Sequence, residues 1–345
     1  MAVVGIDAGT SSFEIVAMEG DRPLDRRTFP TSEVRKNPKI VLKVLEEVDA
    51  EIIAGLSGYG LPVKRFSELD DRDVALMTLN FDETLMGVRR IIDIIRKSDL
   101  GGRTWTIPGI IHLPTVPEHR KLNRIDMGTS DKLCSVALAM YQFSKEGIPF
   151  ERQNFVLVEA GYGFNAFVAV KGGKIVDGIG GTTGFPSFSS LGALDGELAY
   201  LLGDFPKSML FCGGIRSLLK EKGIEVERME DLPDFAVEWM CEFVVKGIRA
   251  VGVSLKDYEV VVSGRFFDIF LKDFVDFSGI KAVKLEGFGF GKQSAEGAAI
   301  IADGLAEGKF VNIVDWLEIK KAKGTVLDYL TSDVRRFVRT FRAFS

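Results

Sequence analysis

Residues 118–132 (EHRKLNRIDMGTSDK) gather several groups able to do chemistry. Asp126 can act as a general base or orient an acceptor. Arg124 can clamp a carboxylate or phosphate, because the guanidinium fork suits bidentate binding. Thr129, Ser130 and Asp131 read equally well as a helix N-cap, where side-chain oxygens accept free backbone N–H groups and negative charge suits the dipole. The loop GLSGYGLPVKR (55–65) offers Ser57 and Tyr59 as donors, or is a flexible stretch punctuated by glycine. His112 and His119 lie seven apart in a proline-containing, extended segment and cannot share a helical face, which argues against a metal pair. Cys212 in FCGG is read as packing a strand or helix end. A cluster would need closely placed thiolates.

These groups need elements to hold them. The β-branched run at 2–7 ends in Asp7, and 12–19 and 22–29 follow as strands. Gly9-Thr10-Ser11 between the first two reads as a tight hairpin. Taken alone, Asp7 is an ordinary strand-end residue at a turn. Pro38 opens a helix to 48. Strand 51–60 follows, then a helix over 82–97 with Asp82 able to cap it, a buried strand at 109–114 (GIIHLP) and a helix over 131–146. The second half repeats the plan. Residues 154–181 read as strand, glycine turn, strand, glycine turn, strand. Helices follow at 189–202, 207–222 and 233–253, then strands at 259–266 and 282–288 and an Ala-rich helix at 292–307. Two halves that each open with a three-stranded meander indicate a tandem α/β architecture. The spacing excludes a Rossmann start, because VVGIDAGTSS runs into a second strand and lacks the third glycine. No P-loop exists; Gly291-Lys292 lacks the upstream glycine spacing.

The composition bounds the rest. The chain has 345 residues, 46% hydrophobic and 27% charged, with 37 Gly and a net charge of −5. That length suits two domains of ordinary size or one large one, and the apolar content excludes a disordered chain. Nothing approaches the roughly 18–20 apolar residues of a membrane span. The opening MAVVGIDAGT has no basic region like that of a secretory signal, and three scattered cysteines suit a reducing compartment, so a cytoplasmic location is expected. An acidic body without a basic block is a poor nucleic-acid binder. Six Asn and three Gln beside abundant charge point to a thermophile. From Leu317 to Ser345, seven Lys/Arg face three Asp/Glu, a +4 tail on a −9 body, with Val334, Phe337, Val338 and Phe341 at helical spacing. Such a helix docks on its own domain or on a sister subunit, which makes a homodimer an expected partner, or it binds another surface.

Four segments in order carry a resemblance. VVGIDAGTSS (3–12) and VLVEAGYGFNAFVAV (156–170) resemble the two phosphate loops of the acetate and sugar kinase, heat-shock chaperone and actin superfamily. VVVSGRF (260–266) resembles its adenosine loop, and SAEGAAIIADGL (294–305) the helix that closes its hinge. Residues 171–190 look most like the acetate and butyrate kinase branch, and the whole chain resembles an archaeal family of predicted butyrate kinases. The resemblance implies an actin-like ATPase fold of two duplicated ribonuclease-H-like domains around an interdomain ATP cleft. Their ranges would be 1–130 and 131–316, followed by the basic tail 317–345. It implies ATP and Mg²⁺ as cofactors. Gly9, Thr10 and Ser11, and Gly161, Gly163 and Asn165, would cradle phosphates through turns that admit close backbone approach. Gly264 would receive the adenosine. Asp7 and Glu159 would hold Mg²⁺. Acetate and butyrate kinases carry a histidine at the position of Glu159, which here follows the actin and chaperone pattern. The arginine expected after the third strand of the second half is missing from GGTTGFPSFSS. The implied activity is a small-molecule kinase with Asp126, Arg124 and Glu159 at the chemistry. Its acceptor would be a short-chain acid such as butyrate, or a hydroxyl compound. A non-catalytic nucleotide-dependent switch is the third reading.

Overall fold

A computed structural model describes residues 1–9, 11–79 and 88–338. By internal contacts the chain forms two compact units. One comprises Met1–Arg152, Gly173–Ile175 and Glu286–Ser345, the other Gln153–Gly172 and Val176–Leu285.

The first unit is built on β1 (Val3–Ala8), β2 (Ser12–Glu19), β3 (Arg22–Pro30), β4 (Ile52–Gly55) and β5 (Thr104–Trp105), in the sheet order β3-β2-β1-β4-β5. β1 is antiparallel to β2 and parallel to β4, with Asp7 opposite Glu14. Its apolar run is buried from Val3 to Asp7, as expected of a central strand covered on both faces. β3 exposes most of its residues and closes one edge. The Gln293–Leu305 helix lies against β1 and against the Ser130–Lys145 helix. Its small residues permit that approach: a Cβ on Gly297 would sit 2.0 Å from the Cys134 carbonyl oxygen. Residues 131–152, 286–316 and the 317–338 tail, set apart from the first unit in the sequence reading, group with it by contact. The tail is tied down locally, by Asn123 N to Tyr329 O (3.0 Å) and by Lys323 N to His112 O (3.0 Å).

The second unit carries β6 (Phe155–Ala160), β7 (Asn165–Lys171), β8 (Lys174–Ile179), β9 (Glu259–Ser263) and β10 (Ala282–Lys284), ordered β10-β9-β6-β7-β8. This is the first sheet's order read from the other edge, with the same antiparallel meander and parallel additions. Its core joins Phe167, Phe188, Met240, Val262, Phe266 and Phe274.

Several elements differ from the sequence reading. Residues 109–114 do not form a strand. Ile110–His112 is a buried 3-10 turn closed by His112 N to Gly109 O (3.1 Å), and β5 lies earlier in the chain. A short apolar run between prolines does not distinguish the two outcomes. Cys212-Gly213-Gly214 breaks the expected 207–222 helix into Lys207–Phe211 and Ile215–Glu221. The 189–202 helix begins only at Gly196, where Asp195 caps it by accepting from Glu197 N and Leu198 N. Strand 259–266 stops at Ser263, and an unanticipated helix, Arg265–Ser278, follows Gly264. Of the 82–97 helix, Val88–Arg96 is described, while Asp82 lies outside the described residues, as do Thr10 and Phe341. Among the described residues no helix is long and apolar enough to cross a membrane.

Candidate functional site

The first unit concentrates charge at the C-terminal end of β1. Asp7 is 7% exposed, and its Oδ2 accepts from Lys292 Nζ at 3.0 Å. The same ammonium donates to Ser12 O at 2.7 Å. A Cβ on Gly9 would meet Lys292 Nζ and Ser12 O, each at 2.7 Å, so the glycine admits the lysine to the turn. Thr31 fastens the turn from outside through Oγ1 to Gly9 O (2.7 Å) and N to Ser11 O (3.1 Å). Ser11 itself is exposed.

Lys292 is aimed by a built loop. The buried Glu296 carboxylate accepts from Phe288 N and Phe290 N at 2.8 Å and from Gly291 N at 2.7 Å. Buried Glu14 accepts from Lys292 N, from Arg26 (3.2 Å) and from Thr28 Oγ1 (3.1 Å). The lysine therefore leaves a backbone fixed at two points. Beside it, Asp131 accepts from Thr129 Oγ1 and pairs with Lys132 Nζ at 2.5 Å.

Burial lifts the Asp7 pKa above the usual carboxylate value; Lys292 opposes the shift, and Asp131 adds to it. Burial also works against charge on Asp131, yet Lys132 and Thr129 hold its pKa down. For Glu296 burial outweighs the three backbone N–H groups and raises the pKa. Among the described residues no three His, Cys, Asp or Glu come together as an ion cage. Mg²⁺ needs only one or two protein carboxylates when phosphates and water complete its shell. The donor set at Asp7 therefore fits a Mg²⁺ that arrives with phosphates.

In the second unit, Glu159 occupies the fifth position of β6, as Asp7 does of β1, and is half-buried opposite Ala166. The turn after it is closed by Gly161 N to Phe164 O at 3.0 Å. Gly163 O accepts from Ser187 Oγ at 2.7 Å. Asn165, read as a phosphate donor, is fully buried, and its Nδ2 donates to Pro186 O at 2.9 Å. It braces the turn from behind, because a side chain at the first inward position of β7 points into the core. Gly264, at φ +95°, precedes the Arg265–Ser278 helix; a Cβ there would lie 2.5 Å from Ala160 O.

The segment read as the acceptor site, 118–132, alternates exposed and buried residues. Asp126 is 5% exposed, and its Oδ1 accepts from Gly128 N at 3.1 Å. Arg124 is exposed. Ser130, expected as a cap, is the first helical residue and donates through N and Oγ to Gly58 O (2.9 and 3.2 Å). Ser57 is buried, donates to Gly55 O and accepts from Ile107 N.

Two cations escaped the sequence reading. Lys292 stands at the N-cap of a helix, where a positive charge opposes the dipole. That misfit is a signal legible in sequence that the residue serves something else. Arg216 donates to Tyr162 OH at 2.7 Å and so places a guanidinium beside the second glycine turn. It comes from the Ile215–Glu221 helix, beyond the loop in which an arginine was expected.

Acetate kinase from Entamoeba histolytica is similar in structure, with a TM-score of 0.53 at 12% identity over 80% of this chain and 86% of that one. A ROK hexokinase from Thermus thermophilus gives 0.45 at 16% identity over 89% and 100%. Component A of (R)-2-hydroxyglutaryl-CoA dehydratase from Acidaminococcus fermentans gives 0.45 at 12% over 88% and 97%. At such identities the acetate kinase likeness speaks to fold alone, and with the two matching five-stranded sheets it makes this an actin-like ATPase fold. No curated protein matches the sequence. Residues 5–332 match the family described as "Protein of unknown function (DUF1464)", and the chain belongs to that family.

Proposed function

We propose that the chain is a phosphotransferase that takes Mg–ATP as donor and a short-chain carboxylate such as butyrate as acceptor. One observation carries the reading. Asp7 and Glu159 hold the same position in the central strand of sheets of the same order, and each precedes a glycine turn. A duplicated carboxylate and turn suit a polyphosphate, whose charge needs N–H donors on one side and a metal-organising oxygen on another. Gly9 and Ser11 in the first unit, with Thr10 between them, would take phosphate, as would Gly161 and Gly163 in the second. Gly264 would lie under the adenosine.

A Mg²⁺ bound with ATP would supply neutralising charge to the phosphates. Asp7, in the first unit, would orient its water shell. In the transfer, a carboxylate oxygen of the acceptor bonds to the γ-phosphorus as the bond to the bridging oxygen breaks, giving an acyl phosphate and ADP. This acceptor has no proton to lose. Buried Asp126, which accepts the Gly128 N–H, then has no base to play and holds its turn, while exposed Arg124 is available to clamp the acid. The similar acetate kinase structure, for a protein named for a small carboxylate, supports that acceptor class. Glu159 favours a second reading, a slowly hydrolysing ATP-dependent switch, since a carboxylate repels a transferring phosphoryl group.

Incubation with ATP, Mg²⁺ and a panel of short-chain acids, trapping product as hydroxamate, tests the proposal. Acyl hydroxamate with one acid and dependence on Arg124 support it. ATP hydrolysis without hydroxamate over the whole panel favours the switch.

A further inference from the structure

We infer that Lys292 is the phosphate-binding cation of the first unit, and that it exchanges Asp7 for nucleotide phosphate when Mg–ATP arrives. The inference presupposes that the first glycine turn takes phosphate, as proposed above.

The geometry argues for exchange over a fixed structural pair. Lys292 Nζ reaches into the mouth of the β1–β2 turn, where it holds Asp7 Oδ2 and Ser12 O and lies against Gly9. This is the turn whose N–H groups would face a phosphate. An ammonium is a compact donor on a flexible four-carbon stem, able to swing to a new partner without moving its backbone. The backbone is fixed, by Glu14 on Lys292 N and by Glu296 on the three N–H groups just before it. With the lysine side chain still 30% exposed, the site is open to a ligand. A cation at the start of a 13-residue helix also opposes the dipole, a position that an arriving phosphate would turn favourable. Asp7 would be released at the same moment to the Mg²⁺ that comes with the phosphates. The swap keeps charge balanced: ammonium to phosphate, carboxylate to metal. No carboxylate is left unpaired in a buried position before the ligand binds.

Calorimetric titration with ADP, in EDTA and with Mg²⁺, tests this. In EDTA, Lys292→Ala should bind ADP about tenfold or more weakly than wild type, the worth of one charge-assisted hydrogen bond. Asp7→Asn should bind at least as tightly as wild type there, because it frees the lysine and removes a carboxylate facing phosphate. With Mg²⁺ present, Asp7→Asn should lose the gain that the metal gives wild type. Lys292→Gln keeps most of the stem and a neutral N–H donor and so separates charge from folding; it should behave as Lys292→Ala, and Lys292→Arg should restore binding. Opposite signs for the two positions in EDTA cannot come from a general folding defect. Wild-type affinity in both Lys292→Ala and Lys292→Gln, or equal weakening of Asp7→Asn and Lys292→Gln in EDTA, overturns the inference and leaves nucleotide binding standing. No binding of any nucleotide by wild type overturns both.

Discussion

Lys292 and Asp7, 285 positions apart in the chain, form one ion pair with Nζ 3.0 Å from Oδ2. It joins the strand that opens the first sheet to the loop before the helix that covers it. Removing one partner leaves a buried group unpaired, and that is worse than removing both. Lys292→Met should destabilise the protein by about 1–3 kcal/mol, and Asp7→Asn with Lys292→Met should recover most of the loss. Urea denaturation of the two single variants and the double variant measures the coupling. An additive double variant would mean that the pair carries no stability of its own.

Glu296 organises the loop that aims the lysine. Replacing it with Gln preserves shape but turns an amide N–H₂ toward one or more of the N–H groups of Phe288, Phe290 and Gly291. The expected loss is about 1–3 kcal/mol. Hydrogen exchange gives the specific readout: those three amides should exchange faster in Glu296→Gln, while amides of the β6–β7 hairpin stay unchanged.

Much of this was legible in the residues, for physical reasons that also explain what was not. β1, β2, β6 and β7 are runs of β-branched and aromatic residues ended by glycine, and a buried central strand leaves few other ways to satisfy such a run. The duplicated meander follows from them. The 109–114 turn was not legible, because GIIHLP has the burial of a strand without a neighbour to pair with. The identity of the partner of Lys292 was hidden for a different reason: a contact across 285 positions leaves no local trace of which group it meets. Asn165 shows what a local motif leaves out: its glycine-rich surroundings suggest a ligand contact, while its full burial and the Nδ2 hydrogen bond to Pro186 O come from residues beyond the motif.

Gly264 is held by conformation and by space together. Its φ of +95° disfavours any side chain, and a Cβ would lie 2.5 Å from Ala160 O at the end of β6. Gly264→Ala should lose roughly 1–3 kcal/mol of stability and weaken ATP binding. Gly279 is the control. It also has positive φ, at +67°, but a Cβ there meets nothing within 4 Å. Gly279→Ala should cost about 1 kcal/mol and leave ATP affinity unchanged. Equal effects at the two positions would show that crowding against β6 is not what Gly264 relieves.

His112 makes the stability of the first unit depend on pH. It is 1% exposed, with Nδ1 3.2 Å from Gly109 O and no partner for Nε2 among the described residues. Burial pushes its pKa down to about 4; the Gly109 carbonyl opposes this, and nearby Lys121 adds to it. The folded protein therefore keeps the imidazole neutral, while the unfolded chain binds a proton near pH 6.5. Its contribution is fully present above about pH 6.5, declines as pH falls toward 4, and is flat below that. The expected loss is about 2 kcal/mol by pH 5. Denaturation of wild type and His112→Gln at about pH 7.5 and pH 5 separates this from the carboxylates, which both proteins share. The wild type should lose about 2 kcal/mol more than the variant between the two conditions. Parallel losses would mean that the imidazole is already solvated in the folded state and carries none of the pH dependence.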